Sequence, residues 1–274
     1  MAERNTFNAA FNPFLFDVKR LPLSNENNIN SIKQQLYACA AEENTIAFIF
    51  EPLVQGATGM LMYEAKYLDA LIAIAKEKNI FCIADEVMTG FGRTGKNFAI
   101  NYLENQPDII CLSKGITGGF IPLGVTVCTQ QIFDAFYDDH KTKTFFHGHS
   151  YTANPLACAA ANASMELLVA EKCQQQIQWI ANSHRIFADT IRSHPFVKQV
   201  RQQGTIIAVE FSTSESSSYF NNFQTTAYQY YLSKGIFLRP LGNIVYVMPP
   251  FCITTIELNR VYSVIQDSLE YLSR

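Results

Sequence analysis

The hydrophobic pattern of the first half of the chain alternates between short apolar runs and helix-like segments. Residues 31–42 and 63–79 favour helices, the second with apolar side chains at helical spacing. Buried strands are predicted at four apolar runs, 45–53, 80–85, 107–114 and 122–129. Strands that are apolar on both faces and alternate with helices are typical of a mostly parallel sheet covered by helices. We therefore predict an α/β fold for this half.

The second half of the chain has a different pattern. It predicts helices at 154–169, 173–192, 220–233 and 255–272, and short strands at 196–200, 205–211, 235–239 and 243–247. The serine-rich segment 212–218 is predicted to be a loop. These shorter strands between helices indicate an α+β arrangement. We place a domain boundary near 165–175, giving domains at 1–170 and 171–274.

Composition and charge exclude several classes of protein. The 274 residues are 48% hydrophobic and 16% charged, with a net charge of −3. The sequence contains no block of basic residues that could bind nucleic acid. No run reaches the roughly 18 apolar residues needed to cross a membrane, and the first residues lack the features of a signal peptide. The seven cysteines include no CxxC pair, which favours free thiols over disulfides or a metal site. We expect a soluble cytoplasmic protein.

Candidate chemistry lies where the apolar runs end, because α/β sheets bind ligands at the carboxyl ends of their strands. Asp85 closes IFCIAD, and Lys114 follows IICLS. Pyridoxal phosphate chemistry uses such a pair: the lysine forms a Schiff base with the aldehyde, and the carboxylate pairs with the pyridinium nitrogen. An ordinary salt bridge or two capping residues would give the same pattern. The nearby TGFGRTGK does not match the P-loop spacing, which disfavours an NTPase.

Four ordered blocks carry a family resemblance. EPLVQGATGM, IADEVMTGFGRTGK, LSKGITGGFIPLG and HGHSYTANPLACAAANASMELL together resemble the class III pyridoxal-phosphate aminotransferases of fold type I. The resemblance implies the C-terminal part of a large domain with a mostly parallel sheet, followed by a small α+β domain. It also implies pyridoxal 5'-phosphate as cofactor, small-molecule substrates and a homodimer.

The resemblance implies roles for individual residues of these blocks. Lys114 would be the Schiff-base lysine and would move the substrate proton, and Asp85 would hold the pyridinium nitrogen. Ser150 stands where the family usually has a threonine that binds the cofactor phosphate of the neighbouring subunit. His149 would contribute through its backbone, and Gly148 would contact substrate. The alternative for His149, as for His147, is a loop residue with no titrating role.

The block RPLGNIVYVMPPF at 239–251 narrows the activity that the resemblance implies. Arg239 would bind a substrate carboxylate and Tyr246 would line the same site. The implied reaction transfers the amino group of S-adenosylmethionine to 8-amino-7-oxononanoate, in biotin biosynthesis. An ornithine or 4-aminobutyrate aminotransferase is the alternative. Without the resemblance, Arg239 would be a capping residue and Tyr246 part of the core.

Two further residues are expected to act in support. Glu51 and Arg93 would lie behind the residues that touch cofactor and substrate, although Glu51 could equally be a carboxylate that only fixes its loop.

The chain departs from the family pattern at its beginning. Family members carry, before the segment matching TFNAAF, a Gly-Ser turn for the cofactor phosphate and two aromatic contacts, and these are not in this sequence. The chain resembles the C-terminal two-thirds of the enzyme. We therefore expect exposed apolar sheet surface and poor or absent catalysis by this chain alone, with a non-catalytic remnant as the alternative hypothesis.

Overall fold

The structure is a computed structural model that describes residues 9–42, 44–213 and 221–272. Its helices are α1 (Ile29–Ala40), α2 (Ala65–Glu77), α3 (Gln130–Asp134), α4 (Pro155–Val169), α5 (Glu171–Ile191), α6 (Phe223–Ser233) and α7 (Thr255–Tyr271). Its strands are β1 (Ala47–Phe50), β2 (Val54–Gln55), β3 (Leu61–Met62), β4 (Phe81–Asp85), β5 (Ile109–Leu112), β6 (Val125–Cys128), β7 (Val197–Gln203), β8 (Ile206–Phe211) and β9 (Ile244–Val247). Most of the loop predicted at 212–218 lies outside the described residues.

The first sheet confirms the predicted α/β arrangement. Its strand order is β1-β4-β5-β6, in which the first three strands are parallel and β6 runs antiparallel to β5. The connection from β1 to β4 consists of the β2–β3 hairpin followed by helix α2. Helix α2 buries one apolar stripe that includes Leu68 and Ile72. The carboxyl ends of β1, β4 and β5 consequently meet at one edge of the sheet.

A short hairpin lies between β1 and α2 and is absent from the sequence-based prediction. Strand β2 pairs with β3 in antiparallel register, Val54 with Met62 and Gln55 with Leu61. Each strand has two residues, which is too short for a periodic pattern to be visible.

The second sheet confirms the predicted α+β pattern of the later half. It is antiparallel, in the order β7-β8-β9, and all six residues of β8 are buried. Its core joins α5, α6 and α7 through side chains that include Ile191, Tyr231 and Leu258. The domain boundary stays a prediction: α4 and α5 meet at Ala170, and Leu168 and Ile177 from either side pack in one apolar cluster.

The prediction of a strand at 235–239 is wrong. Residues 236–240 have no regular structure, because their first amides complete the end of α6 instead of a sheet. The Gly235 amide donates to the Leu232 carbonyl at 3.0 Å, and the Ile236 amide donates to the Tyr231 carbonyl at 2.9 Å. Gly235, at φ +73°, makes the left-handed turn that stops the helix.

The seven cysteines are free thiols, but they differ in burial. Cys82 is buried, whereas Cys128 on the outer strand β6 and Cys252 are exposed. Within the ranges described above, no helix is both long enough and apolar enough to cross a membrane.

Candidate active site

Three charged residues lie where the parallel strands of the first sheet end. Asp85 is the last residue of β4, and its backbone is in register with Cys111 of β5, three residues before Lys114. Phe50 of β1 is in register with Ala84, which puts Glu51 beside Asp85. Strand pairing alone therefore brings Glu51, Asp85 and the segment that carries Lys114 to one edge of the sheet.

Lys114 begins a short 3-10 helix, Lys114–Thr117, with its backbone in the left-handed region at φ +46°. Its segment is fixed on both sides: the Ser113 hydroxyl donates to the Leu123 carbonyl at 2.7 Å, and Gly115 lies against the Phe91 ring. A Cβ on Gly115 would be only 2.9 Å from the Cβ of Phe91. The Lys114 side chain is exposed, and its amine has no hydrogen-bond or ion-pair partner among the described residues. A fixed backbone thus presents an available amine.

The Asp85 carboxylate makes a hydrogen bond through one of its two oxygens. One oxygen accepts a hydrogen bond from the Val87 amide at 3.1 Å, and the other has no partner in the described part of the chain. Asp85 and Lys114, both described, are not within ion-pair distance of each other. The interpretation of this pair as an ordinary salt bridge therefore does not describe the site.

Glu51 is coupled to both residues. Its carboxylate accepts a hydrogen bond from the Gly56 amide at 3.0 Å. Burial raises the pKa of Glu51, the negative charge of Asp85 raises it further, and the positive charge of Lys114 opposes the shift. The charge on Glu51 therefore responds to both Asp85 and Lys114.

Glu86, which follows Asp85, is a structural carboxylate that the sequence analysis missed. It is fully buried, and it accepts hydrogen bonds from the Ile100 amide at 2.7 Å, the Thr89 hydroxyl at 2.7 Å and the Ala99 amide at 3.1 Å. Its position after a strand-end acid was the only available signal, because neither its burial nor its partners can be read from the sequence. Glu86 fixes the segment that follows Asp85.

The segment 148–150 lies in an exposed loop before α4. The His149 amide donates to the Thr152 hydroxyl at 3.0 Å, and the His149 Nδ1 accepts from the Tyr151 amide at 3.1 Å. His149 and Ser113 line the same pocket, which has a volume of about 690 Å³. The loop therefore lies beside the lysine segment, while Gly148, Ser150 and His147 are exposed.

Of the predicted substrate-binding residues, Arg239 and Tyr246 lie just before and on strand β9 of the second sheet. Arg239 is exposed in the irregular segment before β9, and it has no hydrogen bond or ion pair with any described residue. Tyr246 on β9 packs against an apolar cluster that includes Leu53 and Met60, from the segment that follows Glu51.

Arg93 connects the loop after Asp85 to the 239–251 block. Its guanidinium donates to the Pro249 carbonyl at 2.6 Å and lies 4.7 Å from the centre of the Phe251 ring. Burial lowers the pKa of Arg93. These contacts join the IADEVMTGFGRTGK block to the 239–251 block, which narrows the implied activity.

Comparison with known proteins identifies the family. A model of the family described as aminotransferase class-III matches residues 1–269. An adenosylmethionine-8-amino-7-oxononanoate aminotransferase from Synechococcus elongatus is 42% identical over 98% of this chain and 65% of its own length. The enzyme of the same name from Helicobacter pylori is 38% identical over 91% of this chain and 57% of its own length.

A solved structure extends the comparison to the fold. The adenosylmethionine-8-amino-7-oxononanoate aminotransferase of Methanocaldococcus jannaschii superposes with a TM-score of 0.86 at 31% identity, over 95% of this chain and 62% of that one. The chain thus spans less than two-thirds of the length of these relatives. Enzymes of class III use pyridoxal 5'-phosphate as cofactor. The chain belongs to the class III aminotransferase family.

Proposed function

We propose that this chain supplies the lysine-bearing part of a pyridoxal-phosphate aminotransferase that transfers the amino group of S-adenosylmethionine to 8-amino-7-oxononanoate. The observation that carries the proposal is the placement of Asp85 and the Lys114 segment at the carboxyl ends of neighbouring parallel strands. The names of the relatives from Synechococcus elongatus and Helicobacter pylori support the choice of substrates.

The residues at the strand ends fit the cofactor chemically. The cofactor requires an amine that can bind its aldehyde and a carboxylate that can pair with its ring nitrogen. The Lys114 amine and one oxygen of Asp85 have no partners within the described ranges. When bound, pyridoxal phosphate supplies a ring that accepts the electrons released at the substrate carbon.

The proposed roles follow from the chemistry of each side chain. Lys114 holds the cofactor between turnovers and then carries the substrate proton on Nζ. Asp85 keeps the ring nitrogen protonated through its partner-free oxygen. Arg239 binds the carboxylate of 8-amino-7-oxononanoate through its two-pronged guanidinium, with Tyr246 and Gly148 lining the same site. These are proposals for the assembled enzyme.

We also propose a homodimer. Ser150 and His149 are exposed, so a second subunit has access to both. In this arrangement Ser150 would bind the cofactor phosphate of the partner subunit, and each site would need both subunits.

A donor comparison tests the proposed substrates. The protein is loaded with pyridoxal phosphate, and single-turnover spectra are recorded with S-adenosylmethionine, ornithine or 4-aminobutyrate. We expect S-adenosylmethionine to convert the cofactor to its aminated form, and 8-amino-7-oxononanoate to reverse the change. Arg239→Lys should weaken the response to 8-amino-7-oxononanoate, because in the proposed arrangement this guanidinium binds the carboxylate of that substrate. Conversion by ornithine or 4-aminobutyrate but not by S-adenosylmethionine would contradict the proposed substrates.

A further inference from the structure

The segment that follows Glu51 makes a tight turn with unusual backbone angles. Leu53 has φ +66° and Met60 has φ +53°, although neither is glycine. Left-handed backbone is unfavourable for such residues, so surrounding contacts must hold it. The Gly59 and Met60 amides both donate to the Gly56 carbonyl at 3.2 Å, which closes the turn.

Arg201 of β7 binds this turn from the second sheet. Its Nη2 donates to the Gly59 carbonyl at 2.9 Å, and its Nε donates to the Met60 carbonyl at 3.1 Å. One planar guanidinium thus holds two consecutive carbonyls of the strained turn, a geometry that a lysine ammonium cannot reproduce. Gly59 also packs closely on the second sheet, since a Cβ there would lie 2.6 Å from the Ile244 Cδ1.

Arg201 is itself oriented by buried partners. Its Nη1 donates to the Glu210 carboxylate at 2.5 Å and to the Gln199 side-chain oxygen at 2.6 Å. The other Glu210 oxygen is 2.7 Å from the Lys198 amine. Only 6% of the Arg201 side chain and 7% of the Glu210 side chain are exposed. The buried charge is therefore compensated, and the guanidinium has little freedom to turn.

The turn connects Arg201 to the strand-end site. The amide of Gly56, whose carbonyl closes the turn, donates to the Glu51 carboxylate at 3.0 Å. Glu51 in turn is electrostatically coupled to Asp85 and Lys114. A continuous series of hydrogen bonds therefore runs from Arg201 through the turn to Glu51.

We propose that Arg201 is a positioning residue for the candidate active site: it fixes the Gly56–Met60 turn and thereby holds the Glu51 carboxylate beside Asp85 and Lys114. The effect of Arg201 on the position of Glu51 can be measured in the chain without cofactor. Its consequence for turnover rests on the proposed function.

Three variants test the structural part on the chain without cofactor. Arg201→Lys keeps the charge beside Glu210 but cannot bind both carbonyls, and Arg201→Gln removes the charge while Lys198 still pairs with Glu210. Lys198→Gln is the matched control, because it alters the same carboxylate without touching the turn. Hydrogen exchange by mass spectrometry should show about tenfold faster exchange at the amides of 56–60 in both Arg201 variants. The control should show the parent rate, and parent-like exchange in both Arg201 variants would overturn the proposal.

The ionisation of Glu51 provides a readout that a purely structural role for Arg201 would not change. Carboxyl-carbon NMR can follow the pKa of Glu51 in the same cofactor-free variants. Burial raises this pKa and the hydrogen bond from the Gly56 amide lowers it, so an opened turn that changes both should shift the pKa of Glu51 in Arg201→Lys but not in Lys198→Gln. A Glu51 pKa that stays at the parent value in Arg201→Lys would overturn the proposal.

The link to turnover is tested with Glu51→Gln as a second background. In the assembled enzyme of the proposed function, Arg201→Lys should lower kcat/KM, and it should cause no further loss in a Glu51→Gln background, since the two residues act in series. Equal losses in the two backgrounds would show that Arg201 acts by another route. If the parent chain binds no cofactor, the proposed function fails, while the exchange and NMR measurements still decide whether Arg201 positions Glu51.

Discussion

Gly204 allows the second sheet to approach the loop that follows Asp85. It lies in the turn between β7 and β8 with φ +55°. A Cβ there would be 2.1 Å from the Thr94 carbonyl carbon and 2.3 Å from the Gly95 nitrogen. The neighbouring Thr205 amide donates to the Arg93 carbonyl at 2.9 Å. This contact therefore requires a residue without a side chain.

Replacing Gly204 tests this requirement, with Gly119 as the matched control. Both glycines have a left-handed backbone, but a Cβ on Gly119 would meet nothing within 4 Å. Gly119→Ala should cost about 1 kcal/mol of the free energy of unfolding, from backbone strain alone. Gly204→Ala adds a backbone clash and should cost at least about 3 kcal/mol. Urea unfolding measures both changes, and equal losses would contradict the proposed close contact.

The sequence identifies some site residues and not others. Asp85 and Lys114 could be predicted because each follows a visible apolar run, and strand ends are where α/β sheets place chemistry. Arg201 and Glu86 could not be predicted, because their importance comes from burial and from partners distant in the sequence. Arg201 binds carbonyls 141 and 142 residues away.

One buried histidine joins α5, α7 and the β7–β8 turn. His184 of α5 lies with Nε2 3.1 Å from the Thr205 carbonyl and Nδ1 2.7 Å from the Tyr262 hydroxyl. A carbonyl only accepts, so Nε2 carries the proton and Nδ1 accepts from Tyr262. The neutral ring satisfies both partners, and burial lowers the pKa of His184 to about 4.

His184 should make stability depend on pH in a defined window. Its folded-state pKa of about 4 is below the ordinary value of 6.5, so the unfolded chain binds the proton more readily. The contribution of neutral His184 to the free energy of unfolding is complete above about pH 6.5. It is lost as the pH falls through about 4, and the total loss is about 3 kcal/mol. Urea unfolding between pH 7 and pH 4 should show a smaller acid loss for His184→Gln. Identical acid losses in parent and variant would contradict this role.

The types of the elements were more predictable than their pairing. The apolar runs predicted all four strands of the first sheet, because burial on both faces leaves a continuous hydrophobic signal. Such runs carry no information on direction, so the antiparallel β6 could not be inferred. The 235–239 run has the composition of a strand, but the helix end at Gly235 uses its amides first.

An exposed aromatic patch on the molecule lies between β6 and α4. It consists of Phe133, Phe136, Tyr137, Phe145 and Phe146, all of which are exposed. The Phe136 and Phe145 rings are 5.2 Å apart, as are those of Phe133 and Tyr137. Apolar surface of this kind marks interaction sites, and this patch precedes the 148–150 segment. The proposed homodimer would cover it.

The aromatic patch predicts the effect of one substitution on association. Phe146→Asp, at a side chain that is 82% exposed, should increase the monomer fraction in sedimentation velocity runs, because a buried charge weakens an apolar interface. Ile256→Asp is the control, at an equally exposed apolar residue on α7. Equal effects of the two variants would contradict a dimer interface at the patch.

In the proposed enzyme, the carboxyl ends of β4 and β5 bind pyridoxal phosphate through Lys114. The most direct measurement is to incubate the chain with pyridoxal phosphate, reduce it with borohydride and locate the modified lysine by peptide mass spectrometry. We expect a cofactor adduct at Lys114 in the parent chain, no adduct at that position in Lys114→Ala, and weaker labelling in Asp85→Asn. Labelling distributed over surface lysines such as Lys141 and Lys143, and unchanged in Lys114→Ala, would contradict it.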